Sequence, residues 1–283
     1  MSFTLTKLDI TGVRLLLQWA ENEGWNPGMN DADIFYETDP DAFYGYYDKG
    51  QLIGGGSIVS YQGKYGFMGL FIMDKDHRYS GIGAKLWNDR KEKLLSRLEP
   101  GACIGMDGVV AMQPFYHKGG FDLAFRDIRF ELHSVDRKFN EHVHPARPED
   151  VSAITEYDTM CFGYERANFV KLWLEQNRSI TYKYCHDKTI LGYATVRKTV
   201  IGYKIGPLFA ESAVVAEHLL NFCLSSFDNE VYFIDVPDLN SEATDLIYKY
   251  NGHKVFECGR MYCGDPPQLP IQKIYGISSL EFG

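Results

Sequence analysis

The sequence has no apolar run near the ~18 residues that a membrane-crossing helix needs. Its first residues, Met1-Ser2-Phe3-Thr4-Leu5-Thr6-Lys7, lack the basic-then-apolar order of a secretory signal. A soluble, cytoplasmic protein without a membrane partner is therefore expected. Basic residues are in the minority, with 29 Lys and Arg against 38 Asp and Glu for a net charge of −9. Nucleic-acid binders present basic surfaces that neutralise phosphates, so that partner class is argued against. Cationic partners are permitted. The six cysteines (Cys103, Cys161, Cys185, Cys223, Cys258 and Cys263) form no C-x-x-C pair, and buried reduced thiols are the default. Cys258 and Cys263, which flank Gly259-Arg260-Met261-Tyr262, leave a disulfide conceivable. Neither G-x-S-x-G nor H-E-x-x-H occurs, so a hydrolase reading has no support. No metal is expected, because His142-x-His144 has no nearby third ligand and reads as a solvated linker.

What the sequence does hold is Arg78-Tyr79-Ser80-Gly81-Ile82-Gly83. This stretch follows the apolar run Gly66–Met73 and opens a helical pattern of Ile82, Leu86, Trp87, Leu94 and Leu98. The order is strand, basic glycine-containing loop, helix N-terminus. The first turn of a helix has unpaired N–H groups and the positive end of the macrodipole, which attract phosphate. Glycines let the backbone approach such an anion without a Cβ in the way.

Arg78-x-x-Gly81-x-Gly83 resembles the acyl-CoA signature [RQ]-x-x-G-x-[GA] of the GNAT acyltransferases. Downstream, a buried strand Ala102–Val109 precedes Phe115-Tyr116-His117-Lys118-Gly119-Gly120-Phe121 and a second strand, Ile128–Leu132. Tyr116 with Gly120-Phe121 matches the family's short helix carrying Tyr, then Gly-Phe, then the closing strand. Many members use this tyrosine as the general acid for the departing thiolate; a core aromatic is the alternative. His117 beside it reads as a proton relay or an exposed helix residue. Glu23-Gly24-Trp25-Asn26-Pro27-Gly28, Tyr203–Ala210, Asp235-Val236-Pro237 and Gly259–Tyr262 extend the resemblance to tandem-domain GNATs of the YitH-like group.

An internal repeat agrees with that. Asp48-Lys49-Gly50-Gln51-Leu52-Ile53-Gly54 echoes Asp187-Lys188-Thr189-Ile190-Leu191-Gly192. Beyond it, Tyr65, Leu70 and Phe71 fall on Tyr203, Leu208 and Phe209, Asp107 on Asp235, and Tyr116 on Tyr248. Where the first copy has His77–Gly83, the second has Ala210-Glu211-Ser212-Ala213-Val214-Val215-Ala216, with no glycine pair and a repelling Glu211. The second copy therefore keeps an apolar helix face (Val215, Leu219, Leu220, Cys223, Phe227) but has lost the phosphate loop. The expected fold is α/β, a mixed sheet in two GNAT-like domains: residues 1–135 with the acyl-CoA site, a linker at 136–145, and a degenerate domain at 146–283.

Periodicity places a first strand at Phe3–Leu8, a helix from near Thr11, and a short helix capped by Asn30. Strands follow at Phe43–Asp48, Leu52–Tyr61 and Tyr65–Met73, with turns at Lys49-Gly50 and Gln62-Gly63. Gly54-Gly55-Gly56 lies inside a strand and signals a bulge or a close approach. The tail Ile271–Phe282 reads as a last strand.

The resemblance implies direct transfer from acetyl-CoA, as acyl-donor substrate, to an amine in a ternary complex. Leu70, Phe71, Ile72 and Met73 would splay from the next strand to pair with pantetheine, and Arg78, Tyr79, Ser80, Gly81, Ile82, Gly83 and Ala84 would hold the pyrophosphate. Tyr116 would be the acid. Glu23, Asp31 and Asp107 are candidate bases, Asp107 reading equally as a strand-end cap. In such a fold the loop after the first helix walls the acceptor pocket, which nominates Trp25, Asn26 and Asp31 as substrate contacts or, alternatively, as a structural turn. The acceptor is a small-molecule or protein amine, and the protein a monomer or homodimer. A non-catalytic CoA-binding or regulatory module, with the second half as partner surface, is the competing function.

Overall fold

A computed structural model describes residues 3–283. In chain order the first half comprises β1 (Thr6–Lys7), α1 (Ile10–Asn22), α2 (Asp31–Thr38), β2 (Phe43–Asp48), β3 (Gln51–Tyr61), β4 (Tyr65–Met73), α3 (Ile82–Leu95), β5 (Cys103–Val109), α4 (Gln113–Lys118) and β6 (Asp122–His133). The second comprises β7 (Val143–Pro145), α5 (Val151–Phe162), α6 (Ala167–Glu175), β8 (Ser179–His186), β9 (Thr189–Lys198), β10 (Tyr203–Ala210), α7 (Ala213–Leu224), β11 (Val231–Pro237), α8 (Ser241–Lys249), β12 (His253–Cys263) and β13 (Ile274–Gly276). The hairpin joining β2 to β3 turns at Lys49-Gly50, both with positive φ. That is the backbone a two-residue loop needs to follow strand twist. Asp187 and Lys188 repeat it between β8 and β9.

All thirteen strands belong to one mixed sheet, ordered β1-β2-β3-β4-β5-β12-β6-β11-β10-β9-β8-β7, with β13 beside β10. The two halves exchange strands, β6 of the first for β12 of the second. β12, from the second half, lies between β5 and β6 of the first, and β6 in turn pairs with β11. The exchange is locked by a matched pair of buried ion pairs. Arg260 on β12 clasps Asp107 on β5 at 2.6 and 2.8 Å, and Arg129 on β6 clasps Asp235 on β11 at 2.8 and 2.9 Å. Both forks are bidentate, the geometry that fixes register as well as adding energy.

The apolar face of α1 (Val13, Leu16, Leu17, Ala20) packs on one side of β3 and β4, and α3 packs on the other. A Cβ at Gly55 would meet Leu16 of α1, and one at Gly56 would meet Arg90 of α3, so the glycine run admits close approach from both faces. The core runs unbroken between halves: Phe35 of α2 stacks on Trp173 of α6 and on Phe282 of the tail.

Several expectations require correction. Only Thr6–Lys7 of the expected first strand make ladder pairs. Asn30 makes no side-chain cap bond; its amide donates instead to the Asn177 carbonyl, across the halves. The expected linker contains β7, which pairs with β8. Phe227 falls beyond the end of α7. In the tail only Ile274–Gly276 are strand.

Candidate active site

β4 and β5 run parallel and pair only from Tyr65 to Phe67, opposite Cys103 to Gly105. Beyond that they diverge, while β5 stays paired along its other edge with β12 from Ile104 to Val109. On the other edge of β4, Ser57 pairs with Gly69 and Gly55 with Ile72, so Leu70 and Phe71 together oppose Gly56. This is a bulge, with Leu70 at φ 49°. A left-handed leucine costs about 1–2 kcal/mol and re-aims the backbone groups around it. The gap so made is a cleft of about 480 Å³.

The gap opens onto α3. Gly81 is its N-cap, left-handed at φ 82°, with nothing within 4 Å of where a Cβ would lie. A Cβ at Gly83 would press on Met73 at 3.2 Å. The loop is thus held close to the end of β4 while its outer side stays clear, which suits an anion with no side chain in the way. Arg78 donates from Nε to the Met73 carbonyl and from Nη2 to Glu23 at 2.7 Å. Tyr79 is fully exposed, and the Ser80 hydroxyl bonds the His77 carbonyl. Ile82 packs beside Met73 and Leu86, and Ala84 lines the cleft.

Tyr116 reaches the cleft from α4, its ring against Trp87 and over Gly108, where a Cβ would collide with it. Burial pushes its phenol up to about 12, with the Arg90 charge pulling the other way. The proton therefore stays on the ring across the neutral range. Arg90, fully buried, spans from α3 to the carbonyls of Ser57 and Gly69 at the bulge. His117 points to solvent and pairs with Asp122.

The candidate bases and substrate contacts are spread out. Glu23 and Trp25 line the cleft, Glu23 paired with Arg78 and the Trp25 carbonyl accepting from Arg129 and Lys204. Asp107 also borders it, but both oxygens are taken by Arg260, so it is neither a free base nor a cap. Burial raises its pKa, opposed by Arg260. Asn26 and Asp31 do not reach the cleft. Asn26 bonds Thr199 and Ile201, while Asp31, wholly buried, accepts from the Gly28 N–H and Arg197. Both hold the halves together, which is what a polar loop residue does when the other half covers it.

Of the charged residues on the cleft wall, Arg90, Arg129 and Glu281 were not anticipated. Glu281, 4% exposed, lies on the tail with its Oε2 buried and unpartnered. The signal was a lone charge between Leu280 and Phe282 in an otherwise apolar stretch.

Two family models match the chain. One for the acetyltransferase (GNAT) family covers residues 10–121, and one for an acetyltransferase (GNAT) domain covers residues 154–276. A holothin acyltransferase of Pseudoalteromonas is 26% identical over 95% of this chain and 91% of its own. YitH of Bacillus subtilis, an uncharacterized N-acetyltransferase, is 23% identical over 99% of this chain and 98% of its own. The solved structure of a putative acetyltransferase from Pyrococcus horikoshii shares the fold, with a TM-score of 0.84, 22% identity, and coverage of 99% of this chain and 96% of that one.

Proposed function

This chain belongs to the GNAT family as an N-acyltransferase with two such domains in tandem, and we propose that its first half alone takes acetyl-CoA and transfers the acetyl group to an amine. The observation that carries the reading is the gap between β4 and β5, with its left-handed Leu70 and the Gly81 terminus of α3 at one end. The freed edge from Leu70 to Met73 offers N–H and C=O groups to a pantetheine chain. One of those N–H groups would polarise the thioester carbonyl, a contribution of a few kcal/mol, roughly 3 for a single donor. Arg78 and the amides from Gly81 to Ala84 would hold the pyrophosphate, with Tyr79 and Ser80 forming the loop and Glu23 steadying Arg78. Tyr116, kept protonated by burial, would protonate the departing thiolate. No helix among the described residues is long and apolar enough to cross a membrane.

Titration calorimetry with acetyl-CoA on the whole chain should give a stoichiometry of about one, and Tyr116→Phe should lower kcat about 10²-fold with CoA affinity unchanged. Two equivalent sites would end the one-half reading. An unchanged kcat with acyl transfer rate-limiting would return Tyr116 to the core.

A further inference from the structure

The tail of the second half crosses the cleft of the first at Leu280 and Glu281. Its backbone is pinned where Glu281 enters: the Ser57 hydroxyl donates to the Glu281 carbonyl, the Ser279 hydroxyl accepts from the N–H groups of Glu281 and Phe282, and Tyr61 donates to the Phe282 carbonyl at 2.6 Å. A Cβ at Gly69 would run into the Glu281 carbonyl, so β4 is glycine where the tail crosses it. Ser57 is two residues from Gly55, on the α1 face of β3. The tail therefore reaches the gap from the face opposite α3 and its anion loop.

The other carboxylates on the cleft wall are matched. Glu23 is on Arg78, Asp107 on Arg260, and Arg129 on Asp235 and the Trp25 carbonyl. Arg90 bonds two carbonyls through Nη2 and leaves Nε and Nη1 buried without partners, but on the α3 face, away from the tail. Arg129 and Lys204 both stand close enough to feel the Glu281 charge as well as that of Asp235, although neither hydrogen-bonds Glu281. Glu281 keeps a buried carboxylate oxygen without a partner. An unmade bond on a buried charge is costly, and a rigid backbone that maintains it marks a place reserved for a ligand donor. Trp25, Phe256 and Leu280 beside it add apolar surface.

We propose that Glu281 is the proton acceptor for the acyl acceptor, and that this acceptor is a small primary amine on an apolar body, entering from the α1 face. The proposal rests on the first half being the acyl-transfer site. An arriving ammonium gives one proton to Glu281. The nitrogen lone pair then forms the C–N bond as the C–S bond breaks, and the thiolate takes the Tyr116 proton. The second nitrogen proton restores the phenol, and Glu281 releases its own to solvent as the amide leaves.

The test compares two amines with acetyl-CoA: phenethylamine, an ammonium at neutral pH, and p-anisidine, already a neutral amine there. The wild-type chain should acetylate both. Glu281→Gln should lower kcat/KM about 10²-fold for phenethylamine and less than about threefold for p-anisidine, because only the first needs a base. Acetyl-CoA affinity and Tm should hold. Should Glu281→Gln fail to fold, Glu281→Asp, which only withdraws the carboxylate, should show the same selectivity with a smaller loss. Equal losses for the two amines, no loss for either, or a wild type inert to both would overturn the proposal. A wild type that fails to bind acetyl-CoA would instead overturn the site itself.

Discussion

The two halves contain the same gap, and they treat it oppositely. In the first, pairing of β4 with β5 stops at Phe67 and the space beyond is open. In the second, β10 and β11 pair over the equivalent Tyr203–Ile205 and Tyr232–Ile234 and then diverge, but β13 fills the space. Leu208 and Phe209, counterparts of Leu70 and Phe71, pair with Gly276 and Ile274, and the Ile277 N–H bonds the Asp235 carbonyl on the far side. The tail thus occupies the strand edges that the first half leaves free. The bulges differ as well. Gly206 and Pro207 oppose Thr195 in β9, and proline has no N–H to offer. At the helix end, Ser212 caps α7 by accepting from Val215, and Glu211 is held by Lys273. The gap of the second copy is thus filled by the tail, which continues onward into the first half.

The largest break in that comparison is to separate the halves. A fragment of residues 1–140 retains Tyr116, Arg78 and the glycines but loses β12, so β5 and β6 both lose a strand partner. It also strands Asp107 and Arg129 without Arg260 and Asp235, at about 3–5 kcal/mol for each broken buried pair. Against a typical total stability of about 5–15 kcal/mol, the fragment should be insoluble or unfolded, with no measurable turnover. A soluble monomer of 1–140 with full activity would show that the exchange is dispensable.

Much of this organisation was legible in the sequence. Strand ends from Phe43 to Met73 follow from alternation and from turns that Lys49-Gly50 and Gln62-Gly63 dictate locally. The unequal loops at Gly81 and Val214 were visible by direct comparison of the copies. The strand exchange was not, because β5 reads identically whether its neighbour is β6 or β12; pairing partners are chosen by tertiary closure. For the same reason Asp107 read as a base, when its partner Arg260 lies 153 residues away. Asn26 and Asp31 read as pocket residues because nothing local reveals that the other half covers them. Glu281 was hidden by the same distance.

A smaller perturbation places one charge on each helix terminus. Gly81→Glu puts a carboxylate at the proposed phosphate cradle and strains a left-handed position by about 1 kcal/mol. Val214→Glu, its match in the sequence repeat, alters an exposed residue in the first turn of α7, two positions past the Ser212 cap. The first should weaken acetyl-CoA binding more than about 10²-fold, by repulsion and loss of close approach, the second less than about twofold. Calorimetry on both variants, with Tm measured to check the fold, would reverse the assignment if Val214→Glu were the damaging change.

The subtlest difference lies in the matched ion pairs. Asp127 on β6 faces Cys258 on β12 across the exchange, which brings a second carboxylate into ion-pair range of Arg260, 3.6 Å away, where Arg129 has Asp235 alone in that range. The consequence is opposite shifts: Arg129 outweighs burial to hold Asp235 below the usual carboxylate range, while burial and the Asp107 charge push Asp127 well above it. A depressed carboxylate contributes stability that is present above about pH 4 and lost as pH falls; a raised one contributes stability that is complete below about pH 4 and lost as pH rises through its folded value. Neither Asp127 oxygen has a hydrogen-bond partner. Asp127→Asn removes the charge that must be desolvated and gives Asp107 an N–H donor in its place. The variant should therefore gain about 1 kcal/mol at pH 8, a rise of roughly 2–4 °C in Tm, and that gain should shrink toward pH 5 as wild-type Asp127 takes up its proton. Thermal unfolding of both chains across that range checks it. A Tm difference independent of pH, or a destabilised variant at pH 8, would mean that Asp127 is ionised in the fold and that Arg260 holds both carboxylates equally.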